Sequence, residues 1–353
     1  MKLLTILTIR LQILNVLLVL PSLHSCDAGS LKKRLHLVNL HSNLHSNRKA
    51  MREYFIKLHL SVVLAGCTGV LGRLISLHEF PLTFLRVLFA CVIIWLISFI
   101  RSDRKMPRRG HIPSLFFVGA LLGLHWLFFY ASIKASNVSV GVVCYSLVGF
   151  YSAVLEPLIN HRRISVSELL LSLITLAGVT LIFGFDIQFR TGILLGAVSS
   201  LLASLFTIYN KRLGDLTQYP SPLMLRWELM GALAVLTAAI PIYFGFFEIA
   251  PVVPTLADLC WLLALASFCT IGLQLLQIQV LKKVSAFTVN LTYNLEPVYS
   301  IMLAIIFFNE SAEMTPAFLA GMSMIILSVA LQTISTYRSR RSQPEPMLQT
   351  TDE

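Results

Sequence analysis

The feature that most constrains this chain is a series of apolar stretches, each long enough to cross a membrane as a helix. About 20 apolar residues, rising about 1.5 Å each, span a hydrocarbon layer roughly 30 Å thick. Only 13% of the residues are charged and 56% are hydrophobic, whereas about 25% are charged in an average soluble domain. The turn signals place ten spans at about residues 55–73, 81–99, 112–134, 138–159, 167–185, 191–210, 222–244, 256–280, 286–308 and 315–335. The sequence therefore predicts an all-α polytopic membrane protein with ten transmembrane helices.

The lysines and arginines are concentrated in alternate connections between these spans. They are Arg48, Lys49 and Arg52; Arg101, Arg104, Lys105, Arg108 and Arg109; Arg162 and Arg163; Lys211 and Arg212; Lys282 and Lys283; and Arg338, Arg340 and Arg341. The other connections hold single basic residues or acids, namely Arg73, Lys134, Arg190, Glu248, Asp258, Glu310 and Glu313. Positive charge in short loops marks the cytoplasmic side, so both termini are predicted to be cytoplasmic. Placed in this way, the net charge of +11 indicates membrane topology and not nucleic-acid binding.

Residues 1–51 interrupt this pattern and are predicted to be an N-terminal extension. The segment MKLLTILTIRLQILNVLLVLPSLHSC resembles a secretory signal peptide. Cleavage after it would leave a basic tail outside and reverse the first span. We therefore expect that Met51 is the functional start or that residues 1–50 are dispensable. At the other end, residues 337–353 are predicted to form a cytoplasmic tail, without regular structure after residue 341.

A tyrosine-bearing phrase occurs twice in the chain. YSLVGFYS at 145–152 aligns without a gap with YNLEPVYS at 293–300, and the same offset aligns Lys134 with Lys282. FPLTFLRVLFA at 80–90 is likewise similar to SPLMLRWELMG at 221–231. The similarity divides the chain into two halves of five spans, at residues 52–186 and 187–336. Because five is odd, the second half enters the membrane from the opposite side, which predicts an inverted repeat with a substrate site near the midplane.

At these residues the chain resembles a known family. The segment NLEPVYSIMLAIIFFNE, the paired Pro-Leu…Arg helix starts and the ten spans are similar to the EamA-like exporters of the drug/metabolite transporter superfamily. The resemblance covers about residues 52–336. It implies a secondary transporter that exports a small metabolite, amino-acid-like or drug-like, by alternating access. In LINHRRIS, however, His161 occupies the place of the family's usual glutamate, so no role of that carboxylate is carried over.

Ionisable residues inside a membrane span cost free energy and therefore need an explanation. Glu296 is the leading candidate for the substrate and proton pathway, together with Tyr293, Asn294 and Asn290 on the same helix. Pro297 removes a backbone N–H and frees a carbonyl group one turn earlier. A carboxylate in such a cavity can exchange a proton during each transport cycle. A buried structural pair with an arginine is the alternative.

Other spans contribute eight further candidates for the pathway: Glu156, Arg86, Arg226, His125, Trp126, Gln274, Gln277 and Tyr145. We expect the first of these, a glutamate, either to pair with Arg162 and Arg163 or to form a second proton or substrate site at the inner gate. The two arginines are expected to lock helices through Glu296 or Glu228, or to bind an anionic substrate group. The remaining candidates either pack or line the pathway. Gly119 and Gly123 are spaced for close helix packing.

Other functional classes fit the sequence less well. The chain has no GxxxxGK[ST] phosphate loop for ATP-driven pumping and no HExxH motif for an intramembrane metalloenzyme. A channel would require a filter loop or a ring of like residues, which the spans lack. An antiporter of phosphorylated metabolites or nucleotide sugars, with Arg86 and Arg226 as anion ligands, is the main alternative.

No enzymatic activity, cofactor or metal is expected. The predicted partners are the lipid bilayer, a small-molecule substrate and protons as the coupling ion, with no nucleic acid and with oligomerisation left open. The compact arrangement of ten spans predicts a bacterial protein located in the inner membrane.

Overall fold

In the computed structural model, residues 52–103, 105–183, 189–246, 253–308 and 315–341 are described. All regular secondary structure in these ranges is helical, as the sequence predicts. The predicted extension at 1–51 and the tail after residue 341 lie outside the described residues. So do four charged residues of the predicted connections, Arg104, Glu248, Glu310 and Glu313.

Helices occupy all ten predicted stretches, and each helix is numbered by the stretch in which it lies. They are α1 (Arg52–Leu74), α2 (Glu79–Ile100), α3 (Ile112–Ala135), α4a (Val138–Tyr145), α4b (Leu147–Ile159), α5 (Val166–Phe183), α6 (Arg190–Thr217), α7 (Ser221–Phe246), α8a (Leu256–Ala266), α8b (Leu273–Leu281), α9a (Ala286–Tyr293), α9b (Glu296–Phe308) and α10 (Pro316–Arg341). Within the described ranges, seven of these stretches are long and apolar enough to cross a membrane, α1 to α4 and α6 to α8. The apolar parts of α5 and α10 are shorter, and α9 is divided into two pieces. The chain is therefore polytopic, with seven spans that qualify by length and composition where ten were predicted.

Two helices extend beyond their predicted ends. Helix α6 continues to Thr217, so Lys211 and Arg212 lie inside the helix and not in a connection. The reason is that the buried face continues after them through Leu213 and Gly214. Helix α10 continues to Arg341, and thus includes the first residues of the predicted tail.

The repeated phrase marks a break in both helices that carry it. Helix α4 breaks at Ser146 and helix α9 breaks at Asn294. At each break the backbone N–H donates to a carbonyl group three residues earlier, from Ser146 to Val143 and from Asn294 to Leu291. Pro297, the second residue of α9b, has no N–H and cannot continue the hydrogen bonding of α9a. The prediction of one continuous ninth helix is therefore wrong.

The two broken helices pack in exchanged pairs, with α4b on α9a and α4a on α9b. Elsewhere α3 packs on α6 and α7, α2 packs on α7 and α8a, and α5 packs on α10. The backbones of α3 and α7 approach closely, because Gly119 faces the backbone of Glu228 and Gly231 faces the backbone of Phe116. Small residues permit such contact, so the packing role expected of Gly119 is confirmed.

Lys134 and Lys282, which the repeat aligns, make equivalent contacts. The Nζ atom of Lys134 donates to the carbonyl oxygen of Ile75 at 2.9 Å. The Nζ atom of Lys282 donates to the carbonyl oxygen of Tyr219 at 2.6 Å. Each lysine thus ties the end of the third helix of its half to the connection between the first two helices of that half.

Candidate functional site

A cavity of about 40 Å³, with room for a few water molecules, lies where helices α1, α2, α3, α4, α6, α8 and α9 meet. Eight of the twelve candidates from the sequence line this cavity: Arg86, His125, Trp126, Tyr145, Gln274, Gln277, Tyr293 and Glu296. The sequence reasoning missed the other lining residues, Ala65, Thr68, Leu122, Phe129, Ala203, Phe206 and Leu273. Their types are equally typical of helix packing, so no sequence signal distinguished them.

The Arg86 side chain is 1% exposed and is anchored on several sides. Its Nε atom donates to Thr270 Oγ1 at 2.7 Å, and its terminal nitrogens donate to Tyr130 Oη at 2.8 Å and to the carbonyl oxygen of Cys269 at 3.0 Å. The guanidinium carbon lies 4.1 Å from the centroid of the Trp126 ring, a cation–π contact. These contacts fix the guanidinium group at the wall of the cavity.

The backbone that receives Arg86 is irregular. Helix α8 is interrupted by a π-helical turn at Ser267–Gly272, which replaces the usual i→i+4 hydrogen bonds by i→i+5 bonds. Within this turn the Thr270 hydroxyl donates to the carbonyl oxygen of Leu265 at 2.9 Å, and its oxygen accepts from Arg86. The turn lies in a mostly apolar stretch whose only polar side chains are those of Ser267 and Thr270, so no pattern predicted it.

His125 is held in one orientation by Ser199. Its Nδ1 atom lies 2.9 Å from Ser199 Oγ and 3.1 Å from the Ser199 carbonyl oxygen. A carbonyl oxygen can only accept a hydrogen bond, so Nδ1 carries the proton, and in the neutral ring Nε2 is an acceptor. The ring centroid lies 5.4 Å from that of Tyr145. His125 therefore contributes an oriented imidazole to the cavity wall.

Glu296, at the start of α9b, contributes a carboxylate that is 4% exposed. Within the described part of the chain this carboxylate makes no hydrogen bond or ion pair. Arg86 acts on it electrostatically, but the predicted helix-locking ion pair between the two is not formed. Tyr293, on the other side of the helix break, donates to Ser61 Oγ at 3.1 Å.

The two glutamines of α8b, Gln274 and Gln277, are one turn apart and both line the cavity. Gln274 and Gln277 are buried, and Gln274 Oε1 has no hydrogen-bond partner among the described residues. A primary amide provides both donors and acceptors. These side chains can therefore bind either a hydrogen-bond donor or a hydrogen-bond acceptor of a ligand.

Four candidates do not line the cavity, and two of them lie on a polar seam formed by Ser152, Ser204, Asn290 and Asn294. Asn290 Nδ2 donates to Ser152 Oγ at 2.7 Å, and Ser152 Oγ lies 2.8 Å from Ser204 Oγ. Asn294 Nδ2 donates to Thr175 Oγ1 at 3.4 Å. The seam joins α9 to α4b, α5 and α6.

Glu156, the third of these candidates, binds a helix end. Its Oε2 atom accepts a hydrogen bond from the backbone N–H of Phe287 at 2.6 Å, in the first turn of α9a. Among the described residues, no ion pair within contact distance joins Glu156 to Arg162 or Arg163, and Arg162 acts on it only electrostatically. The open N–H groups of a helix start are favourable partners for a carboxylate.

Arg226, the fourth, holds the connection between α2 and α3. It donates to the Ser98 hydroxyl and to the carbonyl oxygens of Asp103 at 3.0 Å and Lys105 at 2.6 Å. Its guanidinium carbon lies 4.9 Å from the Trp95 ring centroid. Arg226 therefore joins helices, as expected, but through backbone carbonyls and the Ser98 hydroxyl and not through a glutamate.

Comparisons with known proteins agree with a membrane transporter. The model of the EamA-like transporter family matches residues 54–184 and again residues 190–334. The protein named "Uncharacterized transporter YxxF" from Bacillus subtilis (strain 168) is 26% identical over 197 residues, which cover 54% of this chain and 63% of that protein. The matched region thus spans a little under two thirds of that relative.

A solved crystal structure of a protein has a similar fold. It superposes with a TM-score of 0.61 at 16% sequence identity and covers 81% of this chain and 99% of its own. At this identity the likeness concerns the fold alone. The family match and the apolar helices together indicate an integral membrane protein. This chain belongs to the EamA-like transporter family.

Proposed function

We propose that this chain is a proton-coupled exporter of a small amino-acid-like or drug-like metabolite in a bacterial inner membrane. The observation that carries the proposal is the Glu296 carboxylate, which lines the cavity without a hydrogen bond or ion pair among the described residues. A buried anion of this kind needs a proton or a cationic group beside it. A proton and the amino group of a substrate can therefore compete for the same carboxylate. Such competition is what couples proton entry to substrate export in an exchanger.

The remaining groups of the cavity suit a small molecule with an anionic end and an apolar body. Arg86 uses three N–H groups in hydrogen bonds to the protein, and a guanidinium has five. Two are thus left for an anionic group such as a substrate carboxylate. Leu122, Phe129 and Phe206 provide an apolar wall for the rest of the molecule.

Transport would proceed by alternating access between two inverted repeats, at residues 52–186 and 187–336. Three observations support this arrangement: the exchanged packing of α4 and α9, the equivalent contacts of Lys134 and Lys282 and the double match to the family model. With both termini in the cytoplasm, Ser152 and Asn290 lie on the cytoplasmic side of the lining residues Tyr145 and Tyr293, and their hydrogen bond would help to close that side.

The test is flux in proteoliposomes with an imposed pH gradient, using a panel of amino acids and related metabolites. Glu296→Gln keeps the size of the side chain but cannot exchange a proton, so gradient-driven flux is expected to fall by at least tenfold. Glu168→Gln, on the outer helix α5, is the matched control and should retain the wild-type rate. Equal rates in wild type and Glu296→Gln would refute proton coupling at this residue.

An antiporter of phosphorylated metabolites is less well supported. An antiporter of this kind requires both Arg86 and Arg226 as ligands of the phosphate. Arg226, however, is bound to the α2–α3 connection and does not line the cavity. One arginine remains beside a carboxylate, which is unfavourable for a phosphate dianion. Competition of phosphorylated compounds with the transported metabolite would be the observation in favour of this alternative.

A further inference from the structure

A second carboxylate lies in the helix bundle outside the cavity. Glu228, on α7, has 0% exposure, and neither of its carboxylate oxygens has a hydrogen-bond partner among the described residues. Asn210, on α6, is 1% exposed, and neither end of its amide has such a partner either. The Asn210 side chain lies near enough to act on the Glu228 carboxylate, but the two groups do not have the distance and angle of a hydrogen bond. Buried polar groups without partners are rare in folded proteins and require an explanation.

Among the described residues, no cation forms an ion pair with Glu228. Arg226 on its own helix holds the α2–α3 connection, Arg86 on α2 binds the π-helical turn, and Lys134 on α3 binds the carbonyl oxygen of Ile75. Arg212 on α6 is exposed. His125 on α3 is hydrogen-bonded to Ser199, and Lys211 on α6 forms an ion pair with Asp215 at 3.0 Å. Helix α8b carries no ionisable residue. A structural salt bridge therefore does not account for Glu228.

A bound metal ion does not account for it either. The described residues contain no group of three or more acidic, histidine or cysteine side chains that could hold a metal. A sodium or calcium ion requires about six oxygen ligands, whereas this pair supplies one carboxylate and one amide oxygen. The ligand that fits these two groups is a proton.

The neutral acid and the amide are complementary. A carboxylic acid has one O–H donor and one carbonyl acceptor, and a primary amide has an acceptor oxygen and N–H donors. When a proton binds, the Glu228 O–H can donate to Asn210 Oδ1 while Asn210 Nδ2 donates to the other oxygen of the acid. In the ionised form Asn210 Oδ1 loses its donor and an uncompensated charge stays buried, which is costly.

The position of the pair connects it to one end of the bundle. Glu228 lies two turns after the start of α7, and Asn210 lies two turns before the end of α6, so both are about 10 Å from the helix ends. The connection between these helices is on the predicted cytoplasmic side. Phe206, one turn before Asn210, lines the cavity. The pair therefore lies between the cavity and the cytoplasmic end.

We propose that Glu228 and Asn210 form a second proton-binding site, separate from the transport cavity and nearer the cytoplasmic end. The proton comes from water at that end, converts the carboxylate to a carboxylic acid, and returns to water when the site opens. This proposal adds a second proton-binding site to the proposed transporter. It rests on the proposed function only for the role of that proton in transport. The binding itself is measurable without transport.

The experiment is infrared difference spectroscopy of the purified protein in lipid, recorded between acidic and alkaline pH. The carbonyl band of a protonated carboxylic acid is expected to change with pH in the wild type and in Glu296→Gln. One component of that band should be absent in Glu228→Gln, whose amide can still pair with Asn210 and so preserve the fold. Asn210→Ala should shift the frequency and the midpoint of the same component, whereas Glu168→Gln should leave it unchanged.

A parallel measurement counts the protons taken up by the protein in a rapid pH jump, read with an indicator dye. Glu228→Gln is expected to bind one proton fewer than the wild type, and the double variant with Glu296→Gln two fewer. A band that is the same in wild type and Glu228→Gln, or one that does not respond to pH, would overturn the proposal. Absence of wild-type flux together with a pH-dependent Glu228 band would refute the proposed function and not this site.

Discussion

Arg86 and Arg226 occupy matching places in two similar sequence segments, yet their side chains bind different parts of the molecule. Arg86 binds the π-helical turn of α8 beside the cavity, whereas Arg226 binds carbonyl groups of the α2–α3 connection. The sequence could identify both as buried charges that need partners, because charge inside a span is costly. It could not assign the partners, since these are backbone carbonyls, which every residue has, and hydroxyl groups, which are common in all the helices.

The two arginines offer a matched pair of substitutions. Arg86→Lys keeps the charge but loses the planar geometry needed for three simultaneous hydrogen bonds and the stacking on Trp126. We expect transport to fall by tenfold or more and the free energy of unfolding to decrease by about 2 kcal/mol. Arg226→Lys should lower stability by a similar amount while the KM for the transported compound stays unchanged. Flux and thermal unfolding of both variants check this, and an equal KM increase in both would contradict it.

Among the cavity residues, the sequence could identify those whose chemistry is unusual in an apolar helix. Glu296, His125 and the two glutamines are of this kind, and all line the cavity. Thr68 and Phe206 line it too, but a threonine or phenylalanine is as common on a packed face as on a ligand-binding one. Their contribution follows from the positions of the helices, which single-sequence patterns do not contain.

At the scale of helices, the repeated phrase proved informative about where helices break. Both copies coincide with an interruption, at Ser146 and at Asn294. Pro297 gives a physical reason for the second break, but the first half has Gly149 at the aligned position. The sequence thus predicted the importance of the phrase, but no residue in the first copy predicted the break in α4. Helix contacts through glycine were predictable from spacing alone.

Glycine contacts lead to a stability prediction. A Cβ atom at position 119 would collide with the backbone of Glu228, whereas at Gly245 no atom lies within 4 Å of the added group. Gly119→Ala is therefore expected to lower the free energy of unfolding by about 1–3 kcal/mol. Gly245→Ala should leave it unchanged or raise it by up to about 1 kcal/mol. Thermal unfolding in detergent compares the two, and equal melting temperatures would rule out the close α3–α7 contact.

The capping of α9a by Glu156 has a measurable effect on local opening. Glu156→Ala removes a charge-assisted acceptor worth about 1.5–3 kcal/mol, so the first-turn amides of α9a should exchange hydrogen about tenfold faster or more. Helix α4a, whose cap is Asn137, provides the internal reference and should exchange at the wild-type rate. Hydrogen exchange read by mass spectrometry on peptides from both helices decides this. Unchanged exchange in α9a would show that Ser285 caps it sufficiently alone.

At the scale of the whole molecule, alternating positive charge predicts which ends of the helices face the cytoplasm. The exposed residues Val253, before α8a, and Leu216, at the end of α6, are 85% and 73% exposed and lie at opposite predicted ends. With the native cysteines replaced, Val253→Cys should react with a membrane-impermeant maleimide in intact cells. Leu216→Cys should react only after permeabilisation. The reverse pattern would invert the proposed topology and place both termini outside.

The equivalent contacts of Lys134 and Lys282 have an energetic consequence. Each end of the bundle is tied by one lysine-to-carbonyl hydrogen bond of the same kind, so these bonds contribute little to any preference for opening on one side. An equilibrium balanced in this way responds to small inputs, and a tenfold difference in proton concentration corresponds to about 1.4 kcal/mol. That input alone would change the ratio of two such conformations about tenfold. If the proposed alternating access holds, such a balanced pair of conformations can be driven by a modest ion gradient, with the direction set by residues that differ between the two halves.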